Sequence, residues 1–199
     1  MLSIKKEEKA PCIWIYKDAF DSKNFCELVE KETEEDWALI DWSYSATGDG
    51  DQKQTSEYRT SLEMPMNPFF SETINEKLKP LQDIFMNDIF TKIDECIWDY
   101  RTCFDLNLKA DSGFSLLKYM DGGEYHIHHD HSPDNSRVLS LVACLSDNFE
   151  GGELEFNNFD LTVKLEKNSL ILFPSNFPYT HIAHPVKSGV KYSLVTWFR

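Results

Sequence analysis

Long hydrophobic runs are missing from this 199-residue sequence, where apolar stretches extend for only a few residues. A bilayer-spanning helix needs about 20 consecutive apolar residues, and the first ten residues here are charged where a signal peptide would be apolar. Neither a transmembrane segment nor a leader is therefore expected. Positive charge is also scarce, with 20 Lys and Arg against 34 Asp and Glu and a net charge of −14. Such a surface repels phosphate and anionic lipid, and no Lys/Arg-rich stretch offers a local exception. The expected partners are thus neither nucleic acid nor membrane. Paired cysteine motifs are absent too: the five cysteines are an odd number and form no C-x-x-C. They read as free thiols in a reducing compartment, which suggests the cytoplasm. No internal repeat or low-complexity tract is present.

The chain does have apolar mass, with 41% hydrophobic residues including 14 Phe, 8 Tyr and 5 Trp. Its length suits one domain, 1–199, with a sizeable buried core. After a charged lead-in, Cys12 to Tyr16 form a β-branched and aromatic run that predicts a strand. Asp21 or Ser22 then caps a predicted helix with apolar positions Phe25, Cys26, Leu28, Val29 and Trp37. Residues 41–66, centred on Gly48-Asp49-Gly50-Asp51, read as a long surface loop of the kind that binds or covers a substrate, making Tyr44 and Tyr58 candidate contacts. From Phe69 to Trp98 apolar residues recur at helical spacing. Pro80 either divides this stretch or starts its second helix. These helices are assigned a scaffolding role.

Beyond residue 111 the pattern becomes short β-rich segments at 114–120, 125–130, 137–145, 153–156, 161–165, 169–173 and 190–198. Turn residues separate them, at 121–123, 133–135, 150–152 and 187–189. Such a series predicts an antiparallel sandwich or jelly-roll barrel, so the chain reads as α+β. Residues 1–110 supply mainly helical support and the substrate loop, and 111–199 the β core.

All six histidines fall in the β-rich part, four of them within 126–131. Side chains alternate faces along a strand, so His126, His128 and Asp130 would point one way, and His129 and His131 the other. A His-x-Asp pair on one face can bind a single ion. A third ligand from a distant strand, His181 or His184, would complete a 2-His-1-carboxylate set with open coordination positions. Catalytic zinc sites also use histidine and carboxylate, so the metal turns on whether an organic co-substrate has its own anchor. Ten residues beyond His181, Lys191 lies among apolar residues with Ser193 as its same-face neighbour, a cation and a hydroxyl suited to clamp a carboxylate.

Read in order, Tyr119, Gly123, Tyr125, His128, Asp130, Leu145, Gly151-Gly152-Glu153, Phe173-Pro174-Ser175, His181, Pro185-Val186, Gly189 and Lys191 resemble the Fe(II)- and 2-oxoglutarate-dependent dioxygenases. The prolyl 4-hydroxylase branch is the most similar, and Arg59-Thr60-Ser61 resembles a segment of that branch as well. The resemblance spans about residues 57–199. It implies a double-stranded β-helix (jelly-roll) core, with His128, Asp130 and His181 as iron ligands. Lys191 would bind the far carboxylate of 2-oxoglutarate, and Tyr119 and Ser193 would contact the same molecule. Arg59 would join Tyr44 and Tyr58 on the substrate side. His184 is left aside because family spacing places the distal histidine four residues before Pro185-Val186 and ten before the basic residue.

The implied cofactors are Fe(II), 2-oxoglutarate and O2, with ascorbate as a further one. The implied reaction hydroxylates an unactivated C–H bond, on a peptidyl proline in the first reading, and releases succinate and CO2. Asp130 stands where halogenases of the superfamily have a small residue. Trp197 stands where nucleic-acid demethylases have a second arginine. A free small molecule as substrate, or a metal-binding jelly roll without turnover, are the alternatives. Oligomeric state is not readable from the sequence.

Overall fold

The computed structural model describes residues 5–34, 42–47, 54–55, 57–70, 76–131 and 136–199. In chain order the elements are β1 (Lys5–Ala10), β2 (Ile13–Lys17), α1 (Lys23–Glu34), β3 (Ser43–Tyr44), β4 (Ala46–Thr47), β5 (Gln54–Thr55), β6 (Leu62–Pro65), α2 (Lys79–Ile84) and α3 (Thr91–Cys103). The β-rich part follows with β7 (Ser115–Tyr119), β8 (Tyr125–His128), β9 (Leu139–Cys144), β10 (Phe149–Gly151), β11 (Leu154–Phe156) and β12 (Leu161–Val163). It ends with β13 (Ser169–Pro174), β14 (His181–Ala183), β15 (Val186–Gly189) and β16 (Lys191–Phe198).

An eight-stranded antiparallel sheet, ordered β1-β2-β13-β9-β16-β7-β6-β3, packs against a four-stranded sheet, β12-β11-β14-β8. The sequence explains which strands are central. A strand covered on both faces must be apolar at successive positions, and β13 is Ser-Leu-Ile-Leu-Phe-Pro, buried through its first five residues. Leu170 and Leu172 join Phe25, Phe85 and Ile93 in the core beneath the helices. Ile171 and Phe173 point the other way and meet Leu154, Phe156, Val163 and Ala183 between the sheets. The structure is therefore α+β, with the helices on one face of the large sheet and the jelly-roll interior on the other.

The helical part follows its periodicity. Phe25 and Val29 of α1 are buried, as are Ile93, Cys96, Ile97 and Tyr100 of α3. The Lys23 amide donates to the Asp21 carboxylate at 3.0 Å, so Asp21 is the capping residue. The Ser22 hydroxyl is drawn instead to the Leu145 carbonyl at 2.6 Å. Pro80 sits in the first turn of α2, where its missing amide costs no helical hydrogen bond. Between α2 and α3 the helix widens into a π turn over Phe85–Phe90, which period counting does not reveal. Phe70 and Trp98 depart from the expected apolar stripe, being 42% and 62% exposed. Trp37 and Ile74 lie outside the described residues.

Several expectations need correction. The charged lead-in is strand β1, an edge strand whose lysines and glutamates remain exposed while its backbone pairs with β2. Charge is how exposed edges avoid pairing with other chains, and it hides the strand from a hydrophobicity reading. Residues 41–66 are not simply a loop, because β6 pairs with β7 and β3 pairs with β6. The central part, Gly48 to Gln52, lies outside the described residues. Residues 187–189 belong to β15, which pairs with β10, rather than to a turn. The expected turn at 133–135 is outside the described residues. All five cysteines are free. Among the described residues, no helix is long and apolar enough to cross a membrane.

Phe156, fully buried between the sheets, has its ring 4.9 Å from Phe173 and 5.7 Å from His181. Replacing it with Ala should cost about 3–5 kcal/mol, the usual range for deleting a buried aromatic ring, read as a lower denaturant midpoint with an unchanged slope.

Candidate metal centre

β14 pairs with β8 so that His181 stands opposite His128 and Ala183 opposite Tyr125. Two residues on β8, His126 and Ile127, thus oppose the single Ile182 on β14, a bulge that breaks the strict alternation of side chains. This is why the expected common face of His126, His128 and Asp130 does not form. His126 turns outward, with its Nε2 3.3 Å from Glu124 and its ring 5.1 Å from that of Tyr58. Tyr125, His128 and Asp130 face inward and line one cavity with His181. Asp130 lies just past the end of β8, held by its amide's 3.1 Å hydrogen bond to the Ser175 carbonyl.

The ligand atoms of His128, Asp130 and His181 all lie within 4.8 Å of one another. His128 Nε2 is 3.5 Å from one Asp130 carboxylate oxygen, and His181 Nε2 is 3.8 Å from the other. Each histidine turns its Nδ1 to a backbone carbonyl, His128 to that of His126 at 2.7 Å and His181 to that of Tyr179 at 3.0 Å. A carbonyl only accepts, so Nδ1 carries the proton and the Nε2 lone pair is left facing the carboxylate. The Ser140 hydroxyl donates to Asp130 Oδ2 at 2.7 Å.

Burial pushes the Asp130 carboxyl upward, but His181, His128 and the Ser140 hydrogen bond outweigh it and hold the group below its ordinary value. Burial, reinforced by His128, pushes His181 down to about 4. Near neutral pH this leaves a carboxylate and a neutral His181, with ring lone pairs aimed at it. Three such donors on one side, with cavity on the other, fit a divalent cation that keeps open positions. His184 is not part of this group: its Nε2 is 2.6 Å from Glu155 Oε2.

The cavity measures about 680 Å³ including its open mouth. Away from the three ligands it is lined by Tyr119, Gly152, Lys191 and Ser193. Lys191 pairs with Tyr119 across β16 and β7. Its ammonium, on a side chain only 7% exposed, donates to the Gly152 carbonyl at 2.7 Å and lies 5.4 Å from the Tyr119 ring centroid. Burial lowers its pKa. Ser193 Oγ is buried and has no hydrogen-bond partner among the described residues. A buried cation beside an unpartnered hydroxyl fits a carboxylate entering from the cavity.

Arg59 also lines the cavity, 8% exposed. Its guanidinium lies 5.1 Å from the Tyr125 ring centroid, and that ring stacks on His128 at 3.6 Å. Tyr44 and Tyr58 are 72% and 65% exposed and do not line the cavity. Sequence reading passed over the packing roles of Tyr125, Ser140 and Trp197. Trp197 lines the cavity beneath Arg137, whose guanidinium is 4.0 Å from its ring. Only the bulge and the cross-strand register bring these residues to the site.

Residues 114–199 match the model of the 2OG-Fe(II) oxygenase superfamily. No curated protein matches the sequence. Among solved structures, the chain is similar to a prolyl hydroxylase from Trichoplax adhaerens in complex with a hypoxia inducible factor peptide fragment, with TM-score 0.67, 15% identity, and 94% of this chain and 83% of that one covered. A prolyl-4-hydroxylase from Pseudomonas putida gives TM-score 0.65 at 17% identity, covering 94% and 92%. A viral collagen prolyl hydroxylase from Paramecium bursaria Chlorella virus-1, in its 2OG complex, gives 0.61 at 17% identity, covering 94% and 96%. The resemblance to this superfamily is thereby borne out over residues 114–199, and the fold is shared with prolyl hydroxylases along nearly the whole chain.

If the three inward residues form the metal site, His128→Ala, Asp130→Ala and His181→Ala should each abolish tight Mn(II) or Fe(II) binding in calorimetry. His126→Ala and His184→Ala should leave most of it.

Proposed function

We propose that this chain, with its β-rich part matching the 2OG-Fe(II) oxygenase superfamily, is an Fe(II)- and 2-oxoglutarate-dependent oxygenase that hydroxylates a peptidyl proline. The observation that carries the oxygenase reading is a single cavity holding both a His-Asp-His cluster and a buried lysine beside an unpartnered hydroxyl. A zinc hydrolase or an inert metal-binding jelly roll needs the first but not the second.

His128, Asp130 and His181 would hold the iron. With 2-oxoglutarate and O2 it supplies oxidative decarboxylation coupled to C–H hydroxylation, yielding succinate and CO2. The backbone carbonyls of His126 and Tyr179 keep both imidazoles in the tautomer that ligates, and Ser140 restrains one carboxylate oxygen of Asp130. Lys191 and Ser193 donate hydrogen bonds to the far carboxylate of 2-oxoglutarate, and the Tyr119 ring walls the same pocket. Leu117, Leu141, Leu154 and Val195, which also line the cavity, exclude water from the reacting groups.

The peptide assignment is supported by the fold shared with prolyl hydroxylases, one of them described with a peptide fragment. Arg59 lines the cavity with its Nε unpartnered among the described residues, its terminal nitrogens meeting the Ala46 carbonyl and Glu63, and would donate to a substrate carbonyl. Tyr44 and Tyr58 are exposed, the latter beside the His126 ring, and would stack on an extended chain. The net charge of −14 favours neutral or basic peptides through steering. Ascorbate would serve as an accessory reductant, and the cytoplasm is the proposed location.

The assay is iron- and 2-oxoglutarate-dependent succinate release with a panel of proline-containing peptides and free amino acids. Hydroxyproline in a peptide product is the expected result. Efficient hydroxylation of a free amino acid, with no peptide modified, would overturn the peptide assignment and leave the oxygenase standing. Lys191→Ala should weaken 2-oxoglutarate binding by about 1.5–3 kcal/mol, the scale of a hydrogen bond to a charged group, while metal affinity stays nearly unchanged. Because burial lowers the Lys191 pKa, co-substrate affinity should fall with rising pH before a solvated lysine would lose its proton. Lys191→Arg, which stays charged, should remove that dependence in a binding titration.

A further inference from the structure

Behind Lys191 the cavity wall is built around a residue without a side chain. Gly152 connects β10 to β11 with φ of +66°, and its carbonyl accepts the 2.7 Å hydrogen bond from Lys191 Nζ. A Cβ at this position would stand 3.0 Å from Lys191 Cδ, and 3.3 Å from both Phe149 Cε2 and Val186 Cγ2. Carbon atoms in good contact sit about 3.5–4.0 Å apart, so even a methyl group must push the lysine stem. Phe149 and Val186 crowd the same point, and the ammonium lies 5.9 Å from the Phe149 ring centroid. Gly122 offers a natural contrast: its φ is +78°, yet a Cβ there would meet nothing within 4 Å.

We propose that Gly152 is the positioning residue of the co-substrate anchor. Its carbonyl engages one ammonium proton of Lys191 and its missing side chain leaves the slot for the lysine stem, so this glycine sets how deep in the cavity the cation stands. An ammonium has three protons, so two remain for an incoming carboxylate. The depth of the cation then selects the length of the 2-oxo dicarboxylate. This inference rests on the reading of Lys191 as the 2-oxoglutarate anchor.

The test compares the affinity of Mn(II)-loaded protein for 2-oxoglutarate with its affinity for oxalate, which can chelate the metal but lacks the distant carboxylate. Gly152→Ala should weaken 2-oxoglutarate binding roughly tenfold or more, the loss expected when a charged hydrogen bond is misplaced, and leave oxalate binding within about twofold, the scatter of a neutral substitution. Gly122→Ala, with comparable backbone strain and no clash, should leave both unchanged. Equal losses for the two acids, or a Gly152→Ala no different from Gly122→Ala, would overturn the inference. Failure of the wild type to bind 2-oxoglutarate would instead overturn the functional reading beneath it. Should Gly152→Ala not fold, Phe149→Ala widens the same slot without touching the glycine. It should reduce the preference for 2-oxoglutarate over 2-oxoadipate, one methylene longer, and an unchanged preference counts against the proposal.

Discussion

The register of β14 against β8 sets the chemistry available to the cavity. A slip of one residue would turn His181 to the opposite face of its strand, because side-chain direction alternates at every position. β14 is held from both sides, by β8 through His128 and by β11, where Phe156 pairs with His181. Phe156 is in turn fixed by the packing of its ring on Phe173, a residue of the large sheet. The placement of His181 therefore depends on burial of apolar rings between the two sheets. The hydrophobic interior is what turns two histidines far apart in sequence into one ligand set.

That dependence explains the electrostatics. The protein is strongly acidic, yet its cavity encloses the cations Lys191 and Arg59 as well as Asp130. Burying an ammonium whose hydrogen bond goes to a neutral carbonyl is unfavourable, and the lowered Lys191 pKa records that penalty. A carboxylate arriving from solvent would relieve it, so an element that destabilises the empty cavity favours the filled one. Asp130 has the complementary arrangement, with two imidazoles and a serine hydroxyl gathered around it.

Much of this was legible in the sequence, and the limits have physical causes. Eight of the β segments announce themselves through apolar and β-branched residues. The strands β1, β10, β14 and β15 do not: β1 is a charged edge strand, and the other three are short and stabilised by partners well away in the chain. His128, Asp130 and His181 stand in a spacing that carries meaning without coordinates. The inward turn of Tyr125 and the outward turn of His126 do not, since a bulge is fixed only when the partner strand is known. The orphan hydroxyl of Ser193 is likewise invisible in one dimension, as is the approach of Gly152 to the lysine stem.

The family match begins at residue 114, but the cavity does not. Residues 58–60 run beside β8: the His126 amide donates to the Tyr58 carbonyl at 2.8 Å, the Thr60 amide to the Glu124 carbonyl at 3.0 Å, and Arg59 forms a bridge with Tyr125. Backbone pairing thus ties this upstream segment to the strand that bears His128. The Arg59 guanidinium rests on Tyr125, and Tyr125 stacks on the His128 ring. A group that engages Arg59 at the cavity acts on a side chain only one ring removed from a candidate metal ligand. Arg59 therefore belongs to the wall of the site along with the β core, and the unit that could carry out the chemistry is larger than the unit that sequence matching finds.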